Sequence, residues 1–306
     1  MKLLKNMKTH HIKIIGQAWL LSLFTGVTVL AAPIPENCLT GGIALGCQAY
    51  TFRGFTVLEA IDKTAAAGGK VIEFYPGQKF SKEKPELKFD HNATDEMIAE
   101  VKARLEKAGV RAVNYGVVNI PKDEAGARKI FEFAKKFNLY GITTESDQSI
   151  DTIEKLVKEY DICVGFHNHA HNLKNPSYRM WDPNYILSVV KDRDPRIGAC
   201  ADIGHWFHSN LDPVDCAKIL QGRIISVHLK DANREVGPDG SVTHFEIVPF
   251  GKGMINLSGF LAELKRQNFK GNLSIEYEAK FSHNVPEITQ CIEYMRARGM
   301  KQGGKL

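Results

Sequence analysis

No CxxC pair occurs among the six cysteines of this 306-residue chain, which disfavours a cysteine-built zinc site. No glycine-rich phosphate turn follows the first strand-like run, which argues against a doubly wound dinucleotide fold. Low-complexity stretches and long linkers are absent too, and with 43% hydrophobic and 25% charged residues the chain can bury one large core as one domain. Nor is there an excess of one charge in the body of the chain. The formal charge of +5 includes Lys2, Lys5, Lys8 and Lys13, and without the first 32 residues it is about +1. A nearly neutral body lacks the basic footprint that nucleic-acid binding needs.

Those four lysines precede an apolar run from Ile14 to Leu30 that ends in Ala31 and Ala32, the pattern of a secretory signal peptide. The expectation is a leader over residues 1–32, a domain over 33–306, export to the periplasm or medium, and no stable membrane insertion after cleavage. The nearest following cysteine is Cys38, beyond Pro33 and Pro35, which disfavours lipidation. In an oxidising compartment Cys38 and Cys47 could staple a short loop, whereas Cys163 and Cys200 sit in apolar segments and read as small buried hydrophobes.

Along the rest of the chain, short apolar runs alternate with amphipathic stretches. Strands are expected at 45–52, 71–74, 112–118, 141–145, 162–167, 197–202, 224–228 and 273–277. Helices are expected at 56–67, 94–108, 122–137, 150–159, 183–190, 213–220, 255–268 and 285–298. Strict alternation implies parallel strands joined by right-handed crossovers, and eight such units close most simply as an α/β fold of the (β/α)8 type, a TIM barrel.

In such a barrel, reactive residues gather at the C-terminal strand ends. Glu73, Glu145, His167, Asp202, His228 and Glu276 all stand there. Carboxylates and imidazoles converging from separate strands are what a divalent metal requires. Each also has a plainer explanation: Asp202 could cap the next helix, and His228 could be a satisfied core histidine.

Five motifs carry a resemblance: FHNH (166–169), ADIGHW (201–206), VHLKD (227–231), PFGKG (249–253) and SIEYE (274–278). In this order the chain resembles the xylose isomerase-like barrel superfamily, the sugar isomerase and epimerase group that also holds inosose dehydratase and endonuclease IV-type enzymes. The resemblance implies a metal held by Glu145, Asp202, His228 and Glu276. Members generally take a glutamate from the fifth strand, where this chain has FHNH, so Glu145 from the fourth strand, or His169 or His167, supplies that ligand. Three carboxylates and one imidazole favour Mn²⁺ or Mg²⁺, with Co²⁺ or Zn²⁺ also able to bind.

Such a site can stabilise an enediolate while a base removes the proton alpha to a carbonyl. Glu145 or Glu276 is the expected base, with His169 and His205 as proton shuttles. Glu73, Tyr115, His167, Lys230 and Trp206 are expected around the substrate. Lys230 has an equally good alternative in a salt bridge to Asp231 or Glu278, and Trp181 and Trp206 in core packing. The partner is then a small carbohydrate, unphosphorylated because exported enzymes rarely meet sugar phosphates. Isomerase or epimerase is the first reading, a lyase or dehydratase of a keto sugar or keto glycoside the second, and a silent carbohydrate-binding barrel the third. A trinuclear-zinc endonuclease would need histidines on early strands, where Glu73 and Tyr115 stand.

Overall fold

The computed structural model describes residues 33–298. Eight parallel strands close a barrel in sequential order: β1 Ala44–Gln48, β2 Val71–Phe74, β3 Arg111–Tyr115, β4 Gly141–Thr144, β5 Cys163–His167, β6 Ile197–Asp202, β7 Ile224–Leu229 and β8 Asn272–Ile275. The ring closes where Ala44 of β1 pairs with Asn272 of β8. The helices outside it are α1 Val57–Ala66, α2 Asp95–Ala108, α3 Glu124–Lys136, α4 Ile150–Tyr160, α5 Pro183–Val190, α6 Ile203–His208, α7 Pro213–Ile219, α8 Leu257–Arg266 and α9 Val285–Ala297.

Local chemistry sets the helix starts. Thr56 and Glu59 form a capping box on α1, and the side chains of Thr94, Asp123, Asp182, Asp212 and Asn256 accept from first-turn N–H groups of α2, α3, α5, α7 and α8. Pro183 and Pro213 occupy first-turn positions, where a missing N–H costs nothing. The helices lay apolar faces on the barrel, and the core is continuous from Leu45 through Trp206 to Met295.

Several boundaries differ from the periodicity. The first strand stops at Gln48 because the chain turns into a 3-10 helix over Ala49–Phe52, capped by the Gln48 side chain on the Tyr50 N–H. The stretch 233–243, outside every expected strand and helix, belongs largely to an antiparallel hairpin, Asp231–Val236 with Val242–Val248. Helix α6 was not expected. The proposed Cys38–Cys47 staple does not form: both are free thiols, and Cys47 is fully buried in β1. The expected leader lies outside the described residues.

Candidate metal centre and active site

Four side chains meet at the C-terminal mouth of the barrel: His167 ending β5, Asp202 ending β6, His228 in β7 and Glu276 one residue past β8. Strand pairing brings them level, with Asp202 opposite His228 and His167 opposite Cys200. All four are buried, and one donor atom from each lies within 4.8 Å of the others. His228 Nδ1 is 3.2 Å from Glu276 Oε2 and 3.8 Å from Asp202 Oδ2, and His167 Nε2 is 3.5 Å from Asp202 Oδ2. His167 Nε2 and His228 Nδ1 are buried without a hydrogen-bond partner, and Asp202 Oδ2 between them faces the Lys230 ammonium at 3.0 Å. Orphaned donors of this kind are costly unless something binds them. Two imidazoles and two carboxylates suit a divalent transition metal, so the residues present fit such an ion.

Asp202 does two jobs with separate oxygens. Its Oδ1 accepts from the His205 N–H at 2.8 Å and starts α6, while Oδ2 faces the cluster.

Behind each imidazole stands a carboxylate. Glu145 Oε1 is 3.0 Å from His167 Nδ1, and since a carboxylate only accepts, that nitrogen is the donor and it is Nε2 that faces the cluster. Glu73 Oε1 lies 3.1 Å from His228 Nε2, close though not aligned as a hydrogen bond. Thr143 Oγ1 and Ser274 Oγ donate to Glu73 at 2.9 and 2.8 Å, holding it inside the barrel. Such carboxylate–imidazole couples orient metal ligands.

This arrangement moves several expected roles. Glu145 does not join Asp202, His228 and Glu276. Pairing of Thr144 with Phe166 sets it beside His167, which takes the fourth position. Glu145 instead bridges His167 and His169, accepting from both Nδ1 atoms. Glu73, expected against substrate, is sealed inside the barrel. Tyr115 is likewise buried, its ring centroid 4.7 Å from that of Phe133 and its hydroxyl 3.0 Å from His91 Nδ1. Trp206 is fully buried in the core, and Trp181 stacks on His171 at 4.1 Å between centroids.

Lys230 is buried with Nζ 3.0 Å from Asp202 Oδ2, 2.9 Å from Glu276 Oε2 and 2.6 Å from Glu278 Oε1. Of the two salt-bridge partners expected, only Glu278 is used. Asp231 turns away and accepts the N–H groups of Ala232, Gly251, Gly253 and Ile255, pinning the PFGKG turn. A Cβ at position 253 would fall 2.2 Å from Asp231 Oδ1, so only glycine fits there.

The electrostatics follow from burial opposed by charge. Burial alone would raise the Glu145 carboxyl, but hydrogen bonds from His167 and His169 outweigh it and hold the group at about 2. Burial disfavours an imidazolium at His167, yet Asp202 and Glu145 raise it to about 9. For Asp202, burial is outweighed by His205, Lys230 and the facing imidazoles, and the carboxyl stays well below its ordinary range. His205, at the cavity wall, is pushed down to about 3 by burial, against the pull of Asp202, and is neutral.

A cavity of about 300 Å³ opens onto the cluster, lined by His167, His169, His205 and Glu276 together with Tyr50, Tyr75 and Glu278. Tyr50 and Tyr75 had no role from the sequence, and Glu278 only that of a salt-bridge partner for Lys230. Tyr50 and Tyr75 stand one or two residues past β1 and β2, so the strand-end rule already pointed to them.

A family model described as xylose isomerase-like TIM barrel matches residues 61–298, and the chain belongs to this family. A solved structure of an uncharacterized protein from Parabacteroides distasonis is 30% identical, covering 82% of this chain and 96% of that one, with a TM-score of 0.63. D-allulose 3-epimerase from Methylomonas sp. shares the fold at 13% identity and a TM-score of 0.64, covering 88% of this chain and 99% of that one. L-ribulose-5-phosphate 3-epimerase UlaE of Salmonella paratyphi C is 26% identical over 136 residues, 44% of this chain but 38% of that protein. The chain thus spans well under half the length of the curated relatives of this name.

Proposed function

We propose that the chain is a divalent-metal-dependent sugar isomerase or epimerase that removes a proton alpha to a carbonyl of an unphosphorylated carbohydrate. The observation that carries this reading is the buried set of His167, Asp202, His228 and Glu276, whose donor atoms lie within 4.8 Å of one another and of which His167 and Glu276 line a cavity of about 300 Å³. A divalent ion held there supplies Lewis acidity toward a carbonyl and its neighbouring hydroxyl.

The chain's own residues supply the proton chemistry. Glu276 lines the cavity and can accept a proton on one face of a bound sugar. His169 also lines it, and with Nδ1 turned to Glu145 it keeps Nε2 for proton transfer on another face. Two such groups permit return of the proton to the opposite face, which is epimerisation, or to the neighbouring carbon, which is isomerisation. Elimination from a keto sugar shares the first step; the His169–Glu145 couple, able to protonate a leaving oxygen, keeps that second reading.

Two features support an unphosphorylated substrate. Glu276 and Glu278 line the cavity with no arginine or lysine among its lining residues, and the Lys230 ammonium behind them already meets three carboxylates. A phosphate would meet repulsion there. The two-imidazole donor set keeps Mn²⁺, Co²⁺ and Zn²⁺ ahead of Mg²⁺. The lysine-led, alanine-ended first 32 residues support export.

Metal analysis of the purified protein tests the reading. About one ion per chain after Mn²⁺ incubation, lost in the Asp202→Ala, His228→Ala double variant, with ketose products of unchanged mass, is the expected result. No bound metal in the wild type, or turnover undiminished in the double variant, sinks it.

A further inference from the structure

The cavity over the cluster has a neighbour. A second cavity, of about 630 Å³, lies between the segments that follow β3 and β4 and meets the first along Val117 and His169, which line both. At about 300 Å³ the inner cavity sits at the small end of the roughly 300–1,000 Å³ range of small-molecule sites, and the two together approach its upper end. One sugar unit fills the inner space and leaves the outer one empty.

The chemistry of the outer wall suits a second polyol. Asn119, Ser146 and Gln148 offer amides and a hydroxyl, and Lys122 and Asp147 bring one charge of each sign. Ser146 Oγ accepts from the Ile120 N–H at 2.9 Å and donates to Asn119 Oδ1 at 3.1 Å, which leaves the Asn119 amide N–H groups unspent among the hydrogen bonds of the described residues. With Glu145 on the same wall and a single lysine, the cavity has no excess of positive charge for a phosphate or nucleotide.

We propose that the substrate is a two-unit carbohydrate, with its reacting sugar in the inner cavity and a second sugar in the outer one, the linkage crossing Val117 and His169. This rests on the sugar-enzyme reading above and names its substrate class. Free monosaccharides then use only part of the binding surface, and the outer unit contributes affinity that the reacting sugar alone cannot supply.

The test uses the Mn²⁺-incubated protein and an array of unphosphorylated monosaccharides and disaccharides, read by calorimetric titration and, for binders, by turnover. Gln148→Trp fills the outer cavity from an exposed position, and Asn119→Ala removes a polar contact without added bulk. At least one disaccharide is expected to bind tenfold or more tightly than its parent monosaccharides. Both variants should erase most of that advantage while leaving metal stoichiometry and monosaccharide binding unchanged. Equal binding of monosaccharide and disaccharide, no binding of any disaccharide by the metal-loaded protein, or an equal loss for both sugar sizes in the variants overturns the two-unit inference. Failure to bind metal at all removes the sugar-enzyme reading itself, and the stoichiometry measurement separates the two failures.

Discussion

At the scale of single residues, the candidate metal cluster is backed by a carboxylate that lies outside the cavity lining. Glu73 is fully buried, fixed by Thr143 and Ser274, and sits 3.1 Å from His228 Nε2. Glu73→Gln keeps the shape but removes the charge that favours a proton on Nε2 and so a free Nδ1. Supporting groups of this kind change metal affinity by roughly 10- to 100-fold. A competitive chelator titration should show a loss of that size with secondary structure unchanged; unchanged affinity would assign Glu73 to packing alone. The strand-end rule points to Asp202, His228 and Glu276, which the fold brings into one buried cluster because each stands at or beside the C-terminal end of a strand. It misplaced Glu145 relative to His167, because both end neighbouring strands and only the register between β4 and β5 decides which reaches the centre.

At the scale of elements, the crossovers from α4 to β5 and from α5 to β6 are tied at the N-terminal end of the barrel by Arg196. This side chain is 9% exposed and donates to both oxygens of Asp194, at 2.9 Å each, and to Asp161 at 2.7 Å. The hydrogen bonds from Arg196 hold the Asp194 carboxyl below its ordinary 3.8 against the opposing effect of burial. A depressed carboxylate contributes stability that is present above its unfolded value and lost as pH falls through the lower folded one. Arg196→Met should therefore cost about 2 kcal/mol near pH 7, the worth of charge-assisted hydrogen bonds. In urea unfolding, the gap between wild type and variant should narrow below pH 4; a gap constant from pH 7 to pH 3 would show that packing, not charge, is lost. The elements that periodicity missed are of a different kind. Helix α6 spans only Ile203–His208, too short for a helical period, and the 231–248 hairpin carries charged and polar residues on an exposed ribbon with little alternation.

For the whole molecule, the four candidate ligands come from four strand ends spread over 110 residues of chain, from His167 to Glu276. An ion bound by them links the folding of that half of the barrel to metal concentration. At a hundredfold excess over Kd, binding to the native state alone contributes about 2.7 kcal/mol. For a domain of this size that is about 5 °C in Tm. Calorimetry should show one transition that falls by this amount on adding chelator and recovers with Mn²⁺. A Tm indifferent to both would place the ion, if bound, outside the barrel mouth.

By itself the sequence determined the eight β–α repeats, the single domain and the strand ends that bear carboxylates and imidazoles. Each of these is written in local patterns: runs of apolar residues, capping side chains, and polar residues at the close of buried strands. Tertiary structure alone decided that His167 joins Asp202, His228 and Glu276 in one buried cluster with Glu145 behind it, that Lys230 is spent on Asp202, Glu276 and Glu278, and that Tyr115 and Trp206 lie in the core. Those outcomes depend on register between strands and on which groups share a volume without water, and neither is encoded at any single position of the chain.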